Sequence, residues 1–136
     1  MSRMHWLAPL CLVLGLAAAG CGKTYPFGDG GTGDGGAGAE IVISNFAFSP
    51  LDLQVAPGTT VTVRNEDASP HSVTSESAPG QYTPGAVAGV SFDTGAFTGT
   101  RSFTIPATAT SGTVIPYYCS VHTQSMATPT GTITIP

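Results

Sequence analysis

From Glu40 onward the apolar residues recur at every second position, in short runs separated by Gly, Pro, Asn and Asp. Ile41 and Ile43, bounded by Glu40 and Ser44, share one parity, and Phe46 and Phe48 then take up the opposite one, which predicts a bulge or bend near Asn45. Leu51, Leu53 and Val55 alternate up to Pro57-Gly58, the dipeptide of a type II turn. Val61 and Val63 follow, with Thr60, Thr62 and Arg64 on the other face. Further strands are predicted over 71–76, 87–92, 101–105, 113–119 and 131–135. No helical period runs for any length. The pattern predicts an all-β domain of about eight short strands, an antiparallel sandwich or Greek-key barrel over residues 40–136.

The first twenty residues follow another logic. Arg3 opens the chain with a positive charge, Trp6 to Ala19 is an apolar run broken only by Pro9, and Ala18-Ala19-Gly20 precedes Cys21. This is the layout of a secretory signal peptide, and the run is shorter than the ~20 residues a spanning helix needs. Ala18-Ala19-Gly20-Cys21 resembles the lipobox of bacterial lipoproteins, which implies cleavage before Cys21 and a lipid on its thiol. Residues 1–20 are therefore expected to be a signal peptide, and 21–39 a flexible linker that begins at the lipidated cysteine. The linker carries the run G-D-G-G-T-G-D-G-G-A-G. Its two G-G-x-G copies lack the nine-residue period and the apolar position of a calcium repeat. The expected location is outside the cytoplasm, on a bacterial membrane surface.

Charge narrows the partners. Without Arg3, the basic residues are Lys23, Arg64 and Arg101 against eight acidic ones, a balance that argues against nucleic acid. Cysteine usage narrows the chemistry. Cys11 leaves with the signal peptide and Cys21 carries lipid, so Cys119 has no partner for a disulfide. An unpaired thiol in an oxidising compartment needs an explanation, and a bound metal is one.

The domain's soft and imidazole donors are His71, Cys119, His122 and Met126. Cys119, His122 and Met126 fall within Y-Y-C-S-V-H-T-Q-S-M, at the end of an apolar strand and in the loop after it. His71 follows Pro70 near the start of another strand, and loops at one end of a sandwich cluster. Two imidazoles, one thiolate and a weak axial thioether form the blue-copper set. Structural zinc sites usually recruit more cysteines, and iron–sulfur clusters need more thiolates. A Cys/His nucleophile lacks an oxyanion site and an orienting partner in this sequence, so no enzyme activity is expected.

From Glu40 to Pro136 the chain resembles a cupredoxin of the plastocyanin/amicyanin kind. The resemblance rests on N-F-A-F-S-P, V-A-P-G-T-T-V-T-V-R-N, S-P-H-S-V-T, F-D-T-G, Y-Y-C-S-V-H-T-Q-S-M and G-T-I-T-I. It implies an eight-stranded Greek-key β-sandwich holding one copper ion, Cu(II)/Cu(I), at one end. His71, Cys119 and His122 are then the strong ligands and Met126 the axial one. Ser72 is implied to tie the two ligand loops together by a hydrogen bond. The three residues between His122 and Met126, and the A-T-P-T between Met126 and Gly131, depart from the family's spacing. A backbone carbonyl is the alternative axial donor. The function expected is a monomeric one-electron carrier between redox partner proteins. The alternative is a copper-binding or delivery protein with no electron traffic.

Overall fold

The computed structural model describes residues 38–136. The expected signal peptide, the expected lipid site at Cys21 and nearly all of the glycine-rich stretch lie outside the described residues.

Among the described residues eight strands form two four-stranded sheets. They are β1 (Glu40–Ser44), β2 (Ala47–Ser49), β3 (Asp52–Gln54), β4 (Thr60–Asn65), β5 (Thr74–Ser75), β6 (Gly99–Thr104), β7 (Val114–Tyr118) and β8 (Thr130–Thr134). One sheet has the order β2-β1-β4-β6 and the other β3-β8-β7-β5. The chain passes repeatedly between the sheets, as in a Greek-key sandwich. The purely antiparallel expectation is corrected at two pairs, since β1 lies parallel to β4 and β3 parallel to β8. In each parallel pair the chain crosses to the other sheet before it returns, and such a long crossover is what parallel neighbours require.

Alternation decides which residues meet between the sheets. Ile41, Ile43, Val61 and Val63 from one sheet, and Ile115, Tyr117 and Ile133 from the other, are fully buried in one cluster with Val55 and Ile135. Each such aliphatic side chain contributes about 1.5–3 kcal/mol of burial free energy. In β7 the outward residues Pro116 and Tyr118 are buried as well. They are covered by the segment after β5, where the Glu76 amide donates to the Pro116 carbonyl at 2.9 Å and Tyr82 packs edge-on to Tyr118.

Four local readings are sharpened or corrected. The Pro57-Gly58 turn is present: the Thr59 amide donates to the Ala56 carbonyl, and Gly58 has the positive φ, 81°, that a type II turn demands. The parity switch near Asn45 is a two-residue hairpin turn and not a bulge. Ser44 pairs with Ala47, and Asn45 and Phe46 have φ of 54° and 60°, as in a type I′ turn. The strand expected over 87–92 does not form. Ala88 and Gly89 both adopt positive φ, so Val87 and Val90 pair with each other across a tight turn. Likewise the 71–76 strand is confined to Thr74–Ser75, flanked by isolated bridges from His71 to Phe97 and from Glu76 to Pro84.

Candidate metal centre

The end of β4 sets up the first donor. Asn65 is buried, and its side-chain amide donates to the carbonyls of Ser69 and Phe97, both at 2.9 Å. This holds the loop that carries His71. The backbone of His71 exchanges two hydrogen bonds with Phe97, so the fully buried imidazole hangs from a fixed main chain. Cys119 arrives from the core strand β7 and is fully buried, while His122 sits half-buried in the turn that follows.

These three side chains converge. The Sγ of Cys119 lies 3.7 Å from Nδ1 of His71 and 3.9 Å from Nδ1 of His122, and the two nitrogens are 3.3 Å apart. A trigonal ion with bonds of about 2.0 Å to nitrogen and about 2.3 Å to sulfur holds its donors about 3.5 Å (N···N) and about 3.7 Å (N···S) apart. The triangle therefore has the dimensions of a coordination plane. Two borderline imidazoles with one soft thiolate form a set that fits copper.

The two loops that bring the donors are stitched together. The Ser72 amide donates to Cys119 Sγ at 3.4 Å, and the Ser120 amide donates to Ser72 Oγ at 2.7 Å. Ser72 Oγ is also 2.9 Å from Ser120 Oγ and 3.2 Å from Thr74 Oγ1, whose hydroxyl donates to Asp93 at 2.9 Å. Because the Asp93 carboxylate only accepts, Thr74 spends its proton there, and Ser72 must donate to Thr74 or to Ser120.

Met126 is buried and belongs to the main core cluster. The A-T-P-T that follows it has a structural use. The Ala127 amide donates to the Phe46 carbonyl at 2.7 Å, and the Thr128 hydroxyl accepts from the Phe48 amide at 2.7 Å. The segment that lengthens this loop thus fastens it to the β1–β2 hairpin.

That hairpin reaches the donors too. The Phe46 ring packs edge-on against His71 and His122, with centroids 4.9 and 5.1 Å apart. Asp67 accepts from the amides of Asn45 (2.7 Å) and Phe46 (2.9 Å) and lies 3.0 Å from His71 Nε2. The Phe46 amide above all, with the Asn45 amide and the His71 ring, holds the Asp67 carboxyl below the usual range. Burial lowers the pKa of His71, with the Asp67 bond opposing it in part. Asn65, Asp67 and Phe46 did not stand out in the sequence; the only signal was an acid four residues before a histidine in one loop.

The two-sheet fold and the His/Cys/His cluster find their likeness among solved cupredoxins. No protein-family model matches the sequence, and no curated protein matches it. Among solved structures, the chain is similar to a purple cupredoxin from Nitrosopumilus maritimus, with 28% identity, 72% of this chain and 99% of that one covered, and a TM-score of 0.52. It is also similar in fold to amicyanin, seen as an oxidised methionine-to-lysine mutant, with 20% identity, 73% and 82% covered, and a TM-score of 0.54. A reduced tryptophan-to-tyrosine mutant of amicyanin gives 20% identity, the same coverages and a TM-score of 0.53.

Proposed function

We propose that this chain is a type 1 copper protein that carries single electrons on the extracytoplasmic side of a bacterial membrane, held there by a lipid on Cys21. His71, Cys119 and His122 serve as strong ligands and Met126 as the axial one. The observation that carries the reading is the triangle of two Nδ1 atoms and one Sγ with edges of 3.3 to 3.9 Å. The chain's resemblance to the purple cupredoxin supports it. Copper in such a set supplies a one-electron couple. The rest falls to the chain. Buried His71 and Cys119, tied by Ser72 and Asn65, leave little room for rearrangement when charge changes. Half-buried His122 gives the site its approach to solvent. The chain acts as a carrier between redox partner proteins and makes or breaks no substrate bond.

The rival reading, copper delivery, calls for an open site that can hand over its metal; the burial of His71, Cys119 and Met126 speaks against it. The test is colour. Cu(II) added to the domain should give an intense thiolate-to-copper visible band that Cys119→Ala abolishes, with reversible one-electron voltammetry. A band that survives Cys119→Ala, or none in the wild type, overturns the copper reading; a band without reversible voltammetry leaves only the binder.

A further inference from the structure

We propose that Asp67 is a positioning residue that fixes His71 in its metal-ready tautomer before any ion arrives, and in the same act locks the Phe46 turn against the site. The inference rests on the copper reading above for its consequences, but on hydrogen-bond geometry for its substance.

Three donors converge on one carboxylate. Oδ1 takes the Asn45 amide, and Oδ2 takes the Phe46 amide and faces His71 Nε2. An ionised carboxylate accepts at both oxygens and donates at neither. The proton in the bond to His71 therefore belongs to Nε2, and Nδ1 of the neutral ring keeps its lone pair. That lone pair is the one aimed at the triangle, where Nδ1 lies 3.7 Å from Cys119 Sγ and 3.3 Å from His122 Nδ1. Asp67 thus selects the tautomer by the bond on the far side of the ring, as outer carboxylates do for ligating histidines. Its second task is mechanical. Phe46, a bulky residue at φ 60°, is held in that sparsely occupied conformation by the hydrogen bond its backbone N–H donates to Asp67, with its ring against both histidines. The Phe46 carbonyl then takes the Ala127 amide of the Met126 loop.

Asparagine cannot replace this group. With its oxygen toward Phe46 and His71, its NH2 opposes the Asn45 amide. Flipped, it presents NH2 to the Phe46 amide and forces the His71 proton onto Nδ1.

The test uses the metal-free protein, with its ring nitrogens read by ¹⁵N-resolved NMR. Wild-type His71 should be a single Nε2–H tautomer, and Asp67→Asn should populate Nδ1–H to the extent that its side-chain amide flips. Asp67→Asn should also lose about ten- to hundredfold in copper affinity. Losing a negative charge beside the site should shift the redox equilibrium about three- to tenfold toward Cu(I), a rise of about 30–60 mV at 59 mV per tenfold. Wild-type His71 protonated at Nδ1 overturns the proposal, and that measurement needs no variant to fold. So does an Asp67→Asn protein that keeps the pure Nε2–H tautomer and its affinity within about twofold. A wild-type protein that forms no coloured copper adduct sinks the copper reading alone; the tautomer of metal-free His71 still decides for or against Asp67.

Discussion

The main-chain amide of Ser72 donates to the sulfur of Cys119 across 3.4 Å, and the Ser72 hydroxyl receives the amide of Ser120 at 2.7 Å. One residue therefore holds the histidine loop and the cysteine loop in register, its amide on the sulfur and its side chain on the residue after it. Ser72→Ala keeps the amide and removes the hydroxyl. The Ser120 amide loses its partner, while the Thr74 hydroxyl keeps its bond to Asp93, at a cost of about 1–3 kcal/mol. Chemical denaturation should show that loss. The copper adduct should keep its visible band, since the amide on the sulfur remains. A Ser72→Ala protein as stable as the parent would mean that solvent takes over these bonds freely.

Gly131 is required by a tyrosine. A Cβ at this position would overlap both Cζ and the phenol oxygen of Tyr117, whose ring is fully buried and packed edge-on against Phe48. Gly131→Ala should destabilise the fold by about 1–3 kcal/mol or more through overpacking. Pairing it with Tyr117→Leu should give a double variant less unstable than the sum of the two changes. Additive costs would show that the ring can move aside.

Tyr117 also carries a pH signature. Burial, reinforced by the charge of Asp52, raises its pKa above that of a free phenol. The unfolded chain then loses the phenolic proton near pH 10 while the folded one retains it. Stability from this group is complete below about pH 10 and is lost progressively as pH rises above it. Its hydroxyl bond to the Pro50 carbonyl is long, at 3.4 Å. Tyr117→Phe should therefore cost less than about 1 kcal/mol at neutral pH and flatten the alkaline decline in melting temperature. An unchanged decline would assign it to other groups.

Glu76 is wholly buried, and its two carboxylate oxygens accept the amides of Gly80 and Tyr82, each at 2.8 Å. It pins the loop that covers Tyr118. Glu76→Gln leaves one acceptor oxygen for two amides, at about 1–3 kcal/mol. The Gly80 and Tyr82 amides should exchange faster with deuterium than in the parent, ahead of the β7 amides. Equal protection in both proteins would remove Glu76 from this role.

Sequence alternation was enough to find β1, β4 and β8, because each buries one face and its buried residues keep strict parity, while β7, buried on both faces, was legible as a continuous apolar run. It misread V-A-G-V because a turn of two left-handed residues leaves the same apolar spacing as a strand. It placed a bulge or bend near Asn45 but could not foresee its form, a turn in which bonds to Asp67 hold an aromatic residue at a φ that local preference disfavours. The soft donors were legible because the domain has so few of them. Asn65 and Asp67 were not, since asparagine and aspartate in a loop read as ordinary turn residues until the fold brings Phe97 and His71 to them.

The surface around His122 bears on partner choice, given the carrier reading. From Ser102 to Pro136 the chain contains no Asp, Glu, Lys or Arg, so the loop with His122 contributes no charge to docking. Val121, beside His122, is 39% exposed, one of the few large apolar side chains left in solvent among the described residues. Docking through this loop would be apolar, with electron exchange that changes less than about twofold between low and physiological salt. Val121→Asp places a charge in that contact without touching the donor triangle. It should slow exchange about tenfold or more and introduce a salt dependence, while the visible band stays where it was. Stopped-flow mixing of reduced protein with an oxidised partner measures both. A Val121→Asp rate equal to that of the parent would move the point of electron exit to another face.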